Sequence, residues 1–189
     1  MKRIEQIILI VSFIGFSWLA MQVVHELGHV LGALVSGGRI VKVVLHPLTI
    51  SGTYVSPNPH PLFEVWAGPA VGALLPLIVF FLATAVKSRG IYLFRFFAGF
   101  CLIANGAYIG IGAFTKLADA AELLMYGSQQ WQLILFGVIS ITLGLYLWNG
   151  LGPAFGLGAS KGRINRGAAI TSFILLVVIV GTELAIGNR

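Results

Sequence analysis

The chain has 189 residues, 58% of them hydrophobic and only 10% charged, with a net charge of +6 and a mean hydropathy of +0.95. Soluble domains carry about 25% charged residues, so this deficit excludes an ordinary water-soluble globule and points to lipid as the solvent. The twelve Lys and Arg sit mostly at the ends of apolar runs and form no single stripe, which fits headgroup anchoring and argues against a nucleic-acid partner.

The length fits one domain. Cys101 is the single cysteine and excludes both an intrachain disulfide and a cysteine metal site. The opening "MKRIEQIILIVSFIGFSWLA" has the charged start of a signal peptide. Its apolar run continues to about residue 35, and Trp18 spoils a small-residue cleavage site, so a retained first transmembrane helix over 6–35 is predicted. Gly37 and Gly38 should stop that helix. Two β-branched runs, "RIVKVVLH" and "LTISGTYVS", then flank Pro47 and predict a β-hairpin.

Four more apolar runs, at 62–86, 91–114, 130–150 and 168–187, are each long enough to cross a bilayer and must be helical there to satisfy their backbone. The short segment "KLADAAELLMYG" after the third run reads as a turn or two of interfacial helix. Gly68/Gly72 and Gly106/Gly110 have the four-residue spacing of close helix packing, and packing is the role read for them. The predicted class is an all-α polytopic membrane protein, with about five transmembrane helices and a short β-hairpin after the first. It would be a multi-pass protein of the cell membrane with the lipid bilayer as its surroundings. With the N-terminus in the cytoplasm, Lys2, Arg3, Lys87, Arg89, Arg95, Lys161, Arg163 and Arg166 lie inside. Arg39, Lys42, Lys116 and Arg189 then lie outside, which favours that orientation.

"VVHELGHVLG", residues 23–32, places three polar groups inside the first apolar run. Residues four apart share a helix face, so His25 and His29 can aim ring nitrogens at one ion. Glu26, about 100° around the helix from His25, can then act as acid/base without ligating. With four His and five Glu in the chain, chance gives this H-E-x-x-H pattern roughly 0.002 times. An ionised side chain in mid-bilayer costs about 2.5–3.5 kcal/mol, which a bound cation would offset.

A catalytic zinc takes three protein ligands and keeps a fourth position open. The metzincin pattern fails at its last position, which is Val35. Asp119, the one aspartate of the chain, is the best third ligand. Along continuous helices, Arg3 to His25 is roughly 33 Å and Arg95 to Asp119 roughly 36 Å, so the two levels match. Glu122 is the reserve, followed by Glu64, His46 and His60. Asn105, 14 residues before Asp119, is read as bonding between helices and not as serving the site. "GLGAS", ending in Ser160, belongs to a basic loop and offers no serine-protease site.

"HELGHVLGALVSGGRIVKVVLHP", "WAGPAVGALLP" and "KLADAAELL" together resemble the site-2 protease family of membrane-embedded zinc metallopeptidases, closest to its small, compact bacterial-type branch. The likeness covers about residues 20–125. It departs from the family where Ala120, and not Gly, follows Asp119, and no Pro precedes it. The resemblance implies Zn2+ held by His25, His29 and Asp119, with Glu26 as the catalytic acid/base. It implies a single metallopeptidase-like domain over 1–189, with a catalytic core at about 6–127 and additional helices at 130–187. The expected activity is hydrolysis of membrane-spanning or membrane-proximal protein or peptide substrates, whose unwound strand the 39–56 hairpin could take up by edge pairing. A non-proteolytic zinc-binding scaffold or regulator is the alternative. Family members often turn the metal end of the first helix to the cytoplasm, so both orientations stay open.

Overall fold

The computed structural model describes residues 2–160, 162 and 164–187. Lys161, Arg163 and Arg189, which enter the charge count, lie outside the described residues. In chain order come α1 (Lys2–Ser36), β1 (Ile40–Val44), β2 (Gly52–Val55), α2 (Pro61–Ala85), α3 (Ile91–Thr115), α4 (Ala118–Met125), α5 (Gln130–Trp148) and α6 (Arg166–Gly187). Two 3₁₀ turns, Gly152–Phe155 and Gly158–Ser160, fill the last connection. All helices but α4 are long and apolar enough to cross a membrane, so the predicted class and the five spans hold, with ends within a few residues of expectation.

Local chemistry accounts for the boundaries. α1, at a 1.5 Å rise, is about 52 Å long and exceeds a hydrocarbon core of about 30 Å. It ends where Gly37 turns left-handed at φ +80° and the Gly38 amide bonds back to the Ala33 carbonyl at 2.8 Å, the closure that favours glycine after a helix. β1 and β2 then pair antiparallel, Val43 opposite Thr53 and Val44 opposite Gly52, with an irregularity between Ile40 and Lys42. α2 opens on Pro61, tolerated there because the first helical amides have no intrahelical partner.

The helices pack as a chain of neighbours: α6 on α1, α1 on α2, α2 on α3 and α3 on α5. Glycines make the close approaches. A Cβ on Gly137 of α5 would meet Gly110 Cα of α3 at 2.7 Å, and one on Gly106 would meet Ser140 Cβ at 2.8 Å. Gly106 and Gly110 thus serve helix packing, as their spacing predicts.

Connectivity alternates the helices across the membrane. The start of α1, the α2–α3 turn and the α5–α6 segment share one end, where Glu5 faces Arg166 and Gln6 donates to the carbonyls of Phe155 and Gly156. The hairpin, α4 and the end of α6 share the other. The first end is filled by aromatic rings: Phe96 stacks on Trp148 with centroids 5.0 Å apart, and Phe13 and Phe155 flank it.

Candidate metal centre

The opposite end of α1 and α3 is polar and buried. His25, Glu26 and His29 on α1, Glu64 on α2 and Asn105 on α3 are all buried. The one-turn spacing holds as read: the two imidazole centroids are 4.9 Å apart, and their Nε2 atoms face each other at 3.1 Å.

Asp119 joins them by a path that the sequence hid. α3 stops at Thr115, Lys116 turns left-handed at φ 52°, and Ala118 follows at φ 46°. α4 therefore leaves α3 at an angle, and the continuous helix assumed in the depth comparison is not what the chain forms. The result still brings Asp119 Oδ2 to 2.8 Å from His25 Nε2 and 3.2 Å from His29 Nε2. Its own helix start has Leu117 as cap residue, with no side-chain cap bond.

The second ring nitrogens decide what converges. Asn105 Nδ2 donates to the Cys101 carbonyl at 2.9 Å, which turns Oδ1 toward His25 Nδ1 at 2.7 Å. An amide oxygen only accepts, so His25 must carry a proton on Nδ1. Glu64 Oε1 lies 2.9 Å from His29 Nδ1 and imposes the same tautomer there. Both Nε2 lone pairs are thereby free to point, with a carboxylate oxygen, at one place. These three ligand atoms lie within 4.8 Å of one another, and the group can hold a metal ion. Protons compete for the same place. With protons there, burial would raise the Asp119 carboxyl, but bonds from His25 and His29 outweigh it and hold it below the usual carboxylate range. A cation displaces those protons.

Several expectations change. Asn105 does bond between helices, but it bonds to His25 and so belongs to the site. The 14-residue separation from Asp119 is the wrong measure, because its partner lies across the interface on α1. Gly68 and Gly72 do more than pack helices. A Cβ on Gly68 would collide with His29 Nε2, and one on Gly72 would sit 2.6 Å from Asn105 Oδ1. "AGPAVG" is the smooth wall that leaves room for both side chains.

The reserve ligands do not converge. Glu64 holds the back of His29, and its Oε2 accepts from Asn58 Nδ2 at 3.2 Å. Glu122 and His60 are exposed, and His46 Nδ1 accepts from the Leu48 amide in the hairpin loop.

Glu26, about 100° around α1 from His25, is buried, with its Oε2 accepting from Thr53 Oγ1 of β2 at 2.7 Å. Tyr108 on α3 stands edge-on to His25, with centroids 5.7 Å apart, and its hydroxyl lies 3.4 Å from the Asp119 amide. Neither Thr53 nor Tyr108 is marked by any local pattern. No protein-family profile, curated protein or solved structure matches the chain.

Proposed function

We propose that the chain is an intramembrane zinc metallopeptidase that hydrolyses peptide bonds of membrane-spanning or membrane-proximal substrates in the cell membrane. The carrying observation is the convergence of two imidazole lone pairs and one carboxylate oxygen, with both tautomers fixed from behind. Tetrahedral zinc at about 2.0–2.1 Å from its ligands spaces them about 3.3–3.4 Å apart. The three observed separations are 2.8, 3.1 and 3.2 Å, close enough that small outward shifts admit the ion. Three protein ligands leave the fourth position that catalytic zinc requires.

When bound, zinc would polarise the scissile carbonyl and lower the pKa of a water toward about 7. Glu26 is the group to take the proton from the attacking water and deliver it to the leaving amine. A scaffold would need the ligands but no buried carboxylate beside them, so Glu26 favours the enzyme. Helical carbonyls are already hydrogen-bonded, so a substrate helix must unwind before attack. The antiparallel hairpin beside the site has outer strand edges that suit an extended segment.

The test is Glu26→Gln in the reconstituted full-length protein, with a transmembrane peptide as substrate. Metal content should stay at the wild-type level while cleavage falls about 10²–10⁴-fold. Undiminished cleavage with metal retained overturns the assignment.

A further inference from the structure

The hairpin meets the proposed acid/base at one polar point, the bond from Thr53 Oγ1 to Glu26 Oε2. Glu26 is 4% exposed, and among the described residues no second side-chain hydrogen bond reaches it. A buried carboxylate with one donor has one oxygen fixed and the other free. Thr53 itself is well placed to fix it. A β-branched side chain has few rotamers, and its strand is registered against β1. The stem is closed by backbone bonds from Ser56 to the Arg39 carbonyl and from Arg39 to the Pro57 carbonyl. Gly38 ties one leg of that stem to α1, and Asn58 ties the other to Glu64 on α2.

We propose that Thr53 is the positioning residue of Glu26, so that the carboxylate is aligned only while the hairpin is docked on α1. The functional half of this rests on the metallopeptidase reading; the mechanical half, a β2 strand latched to α1 by the Thr53 hydroxyl, does not. A substrate strand added to the hairpin would stiffen it and, through Thr53, steady the group that must move the proton. Substrate binding and alignment of the base are then one event.

Two measurements on the purified full-length protein test this. Hydrogen–deuterium exchange at amides 40–44 and 52–55 should speed up roughly tenfold in Thr53→Val and in Glu26→Ala, and no further in the double variant. Thr53→Ser and Glu26→Gln, which keep a donor and an acceptor, should exchange like wild type. In cleavage of a transmembrane peptide, Thr53→Val should lower kcat about 10- to 100-fold with KM and metal content unchanged, and Thr53→Ser should restore it. A raised KM at unchanged kcat would mean that Thr53 only shapes the strand-binding surface, and would overturn the proposal. Wild-type exchange in both Thr53→Val and Glu26→Ala would overturn it as well, by showing that the latch does not exist. Coupled exchange in a chain that cleaves no peptide would uphold the latch and sink the peptidase reading alone.

Discussion

The two ends of the α1–α3 pair are built from opposite chemistry. At one end Phe13 and Phe96 pack with Trp148 and Phe155; at the other, His25 meets Asn105 and Asp119. Ring packing is spread over many individually weak contacts, so the aromatic end tolerates small shifts. The polar end has no such latitude, because a buried polar group without its partner costs about 1–3 kcal/mol. The aromatic end holds the bundle together, while the polar end keeps its separations near 3 Å through its own hydrogen bonds.

Metal content separates the two ends experimentally. Asp119→Ala removes one of three converging donors and should take bound metal from one ion per chain to near none, whereas Phe155→Ala should leave it at one. Elemental analysis of both purified variants decides this. Gly68→Ala should act almost as strongly, since the new methyl occupies the place of His29 Nε2. Gly110→Ala, whose Cβ would meet Gly137 Cα at 3.1 Å, should loosen α3 from α5 and spare the metal. The contrast fails if both glycine variants bind metal equally.

One step back from the donors, Asn105→Leu should weaken metal binding about 10- to 100-fold by freeing the His25 tautomer, read by competition with a chromophoric chelator. Asn105→Asp keeps an acceptor and should lose less. Smallest in its effect on metal is Phe96→Ala. It should lower stability by about 3–5 kcal/mol in denaturant titrations while each folded chain still binds its ion. A Phe96→Ala protein that folds normally but binds no metal would show that the two ends are not separable.

Much of this architecture is legible in the chain. The five spans follow from apolar length alone, because backbone polar groups in lipid leave little choice but helix. His25, Glu26 and His29 are legible because a helix converts sequence spacing directly into shared faces. Asp119 stands out as the one aspartate of the chain, and the structure sets it beside the two imidazoles, although the route to it is not legible. Two left-handed residues, Lys116 and Ala118, redirect the chain with no glycine to announce the turn.

What the sequence determined by itself was local and periodic: the helices, the hairpin and the one-turn imidazole pair. Tertiary structure alone decided the partners. Asn105 and Glu64 lie 80 and 35 residues from the rings that they orient, and Thr53 lies 27 from Glu26. Hydrogen-bond partners are chosen by which helix faces pack together, and burial makes each choice obligatory once packing has occurred. No periodicity within a single helix encodes which face its neighbour will present.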